Sequence, residues 1–249
     1  MSLVPLPWHV RFTPALVAAL TGAESFALVG PPGSGKTVWL RDAVDRRNAE
    51  APDTAVMRLV GRLQSPGQLL SHALDWLGAT AGAKLQRRGP TALLPALAQR
   101  IATTGTTVLV LDEAQHATPD ALSHLLLVRD TCQTDYEHAV AFVFIGTDPL
   151  IKVLHETGQR GQRVPVVVSV PLLTREEVLI AMPSVAPQVH ACLKRLAAAT
   201  RDTLECDLLD AVGGSLRRLE AIEKRAVFLT KGSTLTVMHV KAAIAMQSP

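Results

Sequence analysis

Aromatic side chains are scarce. The 249-residue chain has five Phe, three Trp and one Tyr, 4% of the total. That poverty argues against a β-sandwich, a lectin-like groove or a platform on which single-stranded bases stack. Cysteine is also rare. Cys132, Cys192 and Cys206 are odd in number and share no close spacing, so neither a disulfide framework nor a zinc site is expected, and a reducing cytoplasm is the expected setting. Long apolar runs are missing. Stretches such as Val164–Val170 fall far short of the roughly 20 residues a spanning helix needs, so no membrane partner is expected. The opening Met1-Ser-Leu-Val-Pro-Leu-Pro lacks the basic-then-apolar order of a secretory leader. Neither charge sign dominates. Lys and Arg total 25 against 22 Asp and Glu, a formal charge of +3, which permits nucleic-acid binding without the signature of a basic tail.

What remains is an aliphatic, folded chain. Hydrophobic residues are 48% and charged residues 19%, too apolar for disorder. The length suits one large domain, or a core domain with a small appendage. Five short apolar runs read as buried strands: Phe26–Val29, Thr54–Val60, Thr106–Leu111, Val140–Ile145 and Val164–Val170. Helical stretches separate them at Thr37–Asn48, Pro66–Gly78 and Ala92–Ala102, with a Gly-rich basic loop at Ala79–Pro90. This alternation predicts an α/β fold with a parallel sheet covered on both faces. After Val170 only helical stretches follow: Arg175–Met182, Pro187–Thr200, Leu204–Ala211, Ser215–Thr230 and Val237–Met246. The expected division is an α/β domain at 1–171 and a small all-helical domain at 172–249.

One motif carries the chemistry. Gly30-Pro31-Pro32-Gly33-Ser34-Gly35-Lys36-Thr37 fits the phosphate-loop pattern G-x-x-x-x-G-K-[ST], between a predicted strand and the predicted helix Thr37–Asn48, with Val38 directly after the motif a further candidate at the nucleotide. The glycines let backbone N–H groups turn inward around phosphate oxygens. Lys36 supplies a point charge for the β- and γ-phosphates, and Thr37 supplies a hydroxyl for Mg²⁺. The helix that follows aims its positive end at the same anion. ATP and Mg²⁺ are the expected ligands.

A second motif completes the first. In Val108-Leu109-Val110-Leu111-Asp112-Glu113 a buried strand delivers two acids. Asp112 is expected in the Mg²⁺ shell. Glu113 is expected to polarise a water for attack on the γ-phosphate. Two adjacent acids argue for hydrolysis rather than binding alone. They also resemble the branch of phosphate-loop proteins in which another strand separates the two motifs in the sheet, and that resemblance implies the same order here. A third strand, ending in Phe142-Val-Phe-Ile-Gly146-Thr147-Asp148, places Thr147 to touch the attacking water or the γ-phosphate.

Together these residues resemble the AAA+ ATPases, a likeness that runs from about Phe12 to Met246. The resemblance implies an α/β core with a parallel five-stranded sheet and a helical lid, ATP binding between them. It implies Walker A at Gly30–Thr37, Walker B at Leu109–Glu113 and sensor 1 at Thr147. Gly213-Gly214-Ser215-Leu216-Arg217-Arg218-Leu219-Glu220 is similar to the sensor 2 stretch of the lid. Its spacing from Gly214 favours Arg217 as the arginine that reaches the nucleotide, with Arg218 the other candidate. An arginine finger acting on a neighbour's ATP falls to Arg160 or Arg163, and Arg163 is favoured because it directly precedes a strand.

A narrower likeness lies in Asp112-Glu-Ala-Gln-His116 with its leucine-rich sequel, and in Phe144-Ile-Gly-Thr-Asp-Pro-Leu150. These resemble the transposition regulators of the TniB/TnsC type and their initiator-like and ExeA-like relatives. That likeness implies ATP-dependent homo-oligomers, ring or filament, that assemble on duplex DNA and recruit a transposase. The alternative is an ATP switch that assembles or remodels a protein complex in secretion, defence or signalling. Arg58, Arg62, Lys84, Arg87 and Arg88 are the candidate phosphate contacts to DNA, or else ordinary solvated charges. His116 and His124 lack metal-ligand spacing and read as packing or surface residues.

Overall fold

The computed structural model describes residues 24–50, 54–58, 65–78, 89–158, 164 and 166–247, together with 13, 14 and 17; for 54–58 it describes the backbone. These residues form two compact units. One comprises Arg11–Gly30 and Thr37–Ser169. The other takes Pro31–Lys36 and, from Val170 onward, the C-terminal helices.

The first unit is built on a five-stranded parallel sheet. Its strands are β1 (Phe26–Val29), β2 (Thr54–Arg58), β3 (Val108–Asp112), β4 (Ala141–Gly146) and β5 (Val166–Ser169), in the order β2-β3-β4-β1-β5. β4 therefore lies between β1 and β3, the separation expected from the resemblance that the paired acids carry. Parallel neighbours require crossovers, and helices supply them. These are α1 (Lys36–Glu50), α2 (Pro66–Trp76), α3 (Pro90–Thr104), α4 (Pro119–Tyr136) and α5 (Pro149–Glu156).

Alternation along the strands sorts their side chains onto two faces. Ala27, Val29, Leu109, Leu111, Phe142 and Phe144 join one core with the apolar stripes of α2, α3 and α4. Leu69, Leu70, Ala73 and Leu74 form the stripe of α2, at three- and four-residue steps. The rings of Phe142 and Phe144 sit 6.2 Å apart at 51°, a tilted pair. Phe26, Leu28, Val108, Val110, Val143 and Ile145 point to the other face and are equally buried. With both faces buried, β1, β3 and β4 read as continuous apolar runs. The run Val164–Val170, expected as another buried strand, differs: β5 lies at the sheet edge with Val166 and Val167 exposed and Val168 buried.

Helix starts follow their capping residues. Ser65 and Gln68 form a capping box ahead of α2, with Pro66 at the first helical position. Thr118 caps α4 in the same sense, its hydroxyl accepting from Ala121 N at 3.2 Å. Gly105 ends α3 at φ 68°.

The second unit holds α6 (Arg175–Val185), α7 (Pro187–Lys194), α8 (Ala198–Val212), α9 (Leu216–Leu229) and α10 (Val237–Ala245). The stretch Pro187–Thr200, read from its periodicity as one helix, is two. Ala197 is extended at φ −60°, ψ 148°, yet no Gly or Pro marks the break. The buried stripe of α9 is Leu219, Ile222, Glu223 and Ala226. Glu223 is the polar member. Its carboxylate accepts from Gln188 N and Val189 N, both at 2.9 Å. These are the first N–H groups of α7, because Pro187 has none and Ala186 offers no side-chain cap. A side chain of α9 thus closes the open end of α7.

Among the described residues no helix is long and apolar enough to cross a membrane. All three cysteines are free. Cys132 lies in the core, and burial pushes its thiol up to about 12.

Two outcomes follow from this packing. Glu223→Ala should destabilise the chain by about 1–3 kcal/mol in urea unfolding, because the buried Val189 N–H and the half-buried Gln188 N–H lose a charged acceptor. A loss below about 0.5 kcal/mol would remove the cap from the account. In thiol titration between pH 8 and 9, the exposed Cys206 should react quickly. Cys132 stays protonated below a pKa of about 12 and should react only after unfolding.

Candidate phosphate-binding site

The loop Pro31–Lys36 leaves β1 and turns on two glycines. Gly33 has φ 84° and Gly35 has φ 90°, where a side chain is strained. Ser34 N donates to Pro31 O at 3.4 Å, closing the turn. Lys36 is buried, and its Nζ donates to Pro31 O at 2.9 Å and to Ser34 Oγ at 3.1 Å. The ammonium is thus held on the inside of its own loop.

The same unit brings the 215–217 segment onto this loop. Leu216 N donates to Gly33 O at 2.9 Å. A Cβ on Gly33 would run into Ser215 Oγ and would stand 3.1 Å from Arg217 Cβ. Arg217 therefore starts beside the phosphate loop, while Arg218 Nη1 lies near Gly213. Both arginines are exposed. The tie between Gly33 and Leu216 was not legible in either motif alone.

A second group gathers in the sheet unit, at the C-terminal ends of the strands. Thr37 Oγ1 donates to Asp112 Oδ1 at 3.3 Å, joining the two residues expected at Mg²⁺. Asp112 is buried. Its Oδ1 also accepts from Glu113 N at 3.0 Å. Glu113 adopts the left-handed conformation, φ 59°, ψ 36°, rare for a residue with a side chain. Gln115 Nε2 donates to Glu113 Oε2 at 2.6 Å, and Gln115 Oε1 accepts from Thr147 N at 3.2 Å. Glu113 and Thr147 are thereby linked through a residue to which the sequence reading gave no role. The only signal was its place two residues after Glu113.

Gly30 N donates to Gly146 O at 3.2 Å, seating the start of the loop against the end of β4. Val38 is 61% exposed in the first turn of α1. His124 Nδ1 contacts Asp120 O at 2.9 Å on the surface of α4. His116 Nδ1 is buried with no hydrogen-bond partner among the described residues. Arg58 pairs in register with Asp112 through its backbone. Arg62, Lys84, Arg87, Arg88, Arg160 and Arg163 lie outside the described residues.

Each group, taken within its own unit, fits one part of a magnesium nucleotide. Thr37 Oγ1 and Asp112 Oδ1 are hard oxygens, the kind Mg²⁺ takes. A glycine-turned loop with an inward lysine offers N–H groups and one cation to phosphate oxygens. Fold and residues together define a phosphate-loop protein of the α/β class. A family model described as "AAA domain" matches residues 20–154, more than half of the chain. The chain belongs to that family.

Solved structures share its fold. The CDC6P protein of Pyrobaculum aerophilum matches with TM-score 0.68 and 19% identity, covering 92% of this chain and 64% of that one. The Aeropyrum pernix ORC2 protein, in ADPNP–ADP complexes, matches with TM-score 0.65 and 18% identity, over 97% and 67%. The Aeropyrum pernix ORC1 protein in complex with DNA matches with TM-score 0.59 and 17% identity, over 98% and 66%. The chain spans about two thirds of the length of those proteins. No curated protein sequence matches it.

The loop geometry has a direct test. Gly33→Ala should weaken binding of a fluorescent ATP analogue at least about tenfold, since the variant is strained at φ 84° and collides with Ser215. Unchanged affinity would mean that the loop rearranges freely.

Proposed function

We propose that this protein is an ATP-hydrolysing switch that forms homo-oligomers on duplex DNA and recruits a DNA-processing partner, a transposase in the reading its motifs favour. The observation that carries the ATPase reading is the Thr37–Asp112 hydrogen bond with Glu113 next in the chain. Lys36 and the Gly30–Val38 loop hold the phosphates, through backbone N–H groups that Pro31 and Pro32 lack. Thr37 and Asp112 hold Mg²⁺, which when bound neutralises charge on the β- and γ-phosphates. Glu113 orients and deprotonates the attacking water, and Thr147 positions it. In this reading residues 1–171 are the nucleotide-binding core and 172–249 are a lid. Arg217 of the lid senses the γ-phosphate, supported by its start beside Gly33. Arg163 of a neighbouring protomer completes the site, so assembly stimulates turnover.

The DNA arm rests on other grounds. The fold is shared with a protein solved on DNA. The basic residues Arg58, Arg62, Lys84, Arg87 and Arg88 would contact phosphates, giving sequence-tolerant binding that weakens steeply with salt. The transposase arm rests on the likeness carried by Asp112–His116 and Phe144–Leu150.

The test combines duplex binding at several salt concentrations, with and without a non-hydrolysable ATP analogue, and negative-stain imaging of the same samples. Nucleotide-dependent rings or filaments on DNA are expected. Nucleotide-dependent oligomers that ignore DNA would replace this reading with a switch that remodels protein complexes. Glu113→Gln should retain ATP binding and lose turnover at least about a hundredfold. Undiminished turnover would remove Glu113 from the catalytic role.

A further inference from the structure

Gln115 does more than fill the turn after β3. Its carboxamide is engaged at both ends, Nε2 on Glu113 Oε2 at 2.6 Å and Oε1 on Thr147 N at 3.2 Å. The two partners fix its orientation. A backbone N–H demands an acceptor and a carboxylate demands a donor, and only one amide orientation satisfies both. Gly146 makes room for this arrangement, since a Cβ there would fall on Gln115 Oε1. The same Gly146 accepts from Gly30 N at 3.2 Å, at the start of the phosphate loop.

Glu113 needs an external hold. Its backbone is left-handed, so its carboxylate is not delivered by a relaxed strand end. Asp112 Oδ1 accepts from its N–H at 3.0 Å, and Gln115 donates to its carboxylate. We infer that Gln115 is a positioning residue that tethers the Glu113 carboxylate to the Thr147 backbone at the end of β4, so that a shift at Thr147 on γ-phosphate binding or release moves Glu113 with it. This inference rests on the reading of Glu113 as the base and names how its action is regulated. Gln115 touches neither water nor phosphate in this role. It sets where Glu113 stands, and it ties that position to the strand end expected to sense nucleotide state.

Two variants separate the arms of the tether. Gln115→Met keeps length and volume and loses both bonds. Gln115→Glu keeps an acceptor for Thr147 N and sets a negative charge against Glu113. In the full chain both should lower kcat for ATP about ten- to hundredfold, with KM and affinity for the ATP analogue within about twofold of the parent. Hydrogen exchange at the Thr147 amide supplies a readout that does not need turnover. Gln115→Met should speed that exchange, and Gln115→Glu should leave it protected. Glu113→Ala should speed it in the parent chain and add nothing in the Gln115→Met chain. Parental kcat in Gln115→Met, or parental kcat in Gln115→Glu alone, would overturn the inference. So would Thr147 exchange that ignores Glu113→Ala. If the parent chain itself fails to turn over ATP, the hydrolytic reading falls, and Thr147 exchange alone decides whether the tether exists.

Discussion

Parallel pairing of β4 with β1 on one side and β3 on the other sets where every reactive group of the sheet unit stands. Val29 is in register with Gly146, and Leu111 with Phe144. The residues that follow those positions are therefore brought to one edge of the sheet. Gly30 opens the phosphate loop there, Asp112 and Glu113 end β3 there, and Thr147 ends β4 there. The pairing is held by burial on both faces. Ala27, Val29, Leu109, Leu111, Phe142 and Phe144 belong to a core shared with α2, α3, α4 and α5. A one-residue slip of β4 would turn Phe142 and Phe144 to the wrong face and move Thr147 away from Gln115. Core packing and site geometry are thus one constraint.

Much of this was legible in the sequence because the signals are local. A short continuous apolar run such as Phe26–Val29, ending in glycine and proline, fits a doubly buried strand, whereas the similar run at Val166–Ser169 lies at the sheet edge and is largely exposed. Gly33 and Gly35 are spaced for positive φ, and the structure gives them 84° and 90°. The intervening strand was expected from the resemblance that the adjacent acids 112 and 113 carry, and β4 occupies that place. What stayed hidden depends on tertiary partners. Nothing in Ala186–Pro187 announces that its open N–H groups meet Glu223 from another helix. The break before Ala198 carries no Gly or Pro, so periodicity runs through it. Gln115 looks like any polar residue after a strand until Thr147 is placed beside it.

The polar residues of the sheet edge act as a connected set rather than as separate ligands. Asp112 accepts from Thr37 Oγ1 and from Glu113 N through the same oxygen. Gln115 then carries the connection to Thr147. Such chains hold groups in place at low cost in reorganisation, because their members are anchored by the end of β3, the turn after it, the end of β4 and the first turn of α1. They also mean that single replacements here will not behave additively.

The bond from Leu216 N to Gly33 O joins an early loop to a late helix. A ribosome makes β1, the loop and all of the sheet before it reaches Leu216. The emerging chain can bury its sheet while the loop still lacks this partner, because long-range contacts form only when both ends exist. Completion of the loop is therefore coupled to synthesis of the helix that begins at Leu216. A chain truncated before Leu216 would keep the loop sequence intact and lose one of the restraints on its shape.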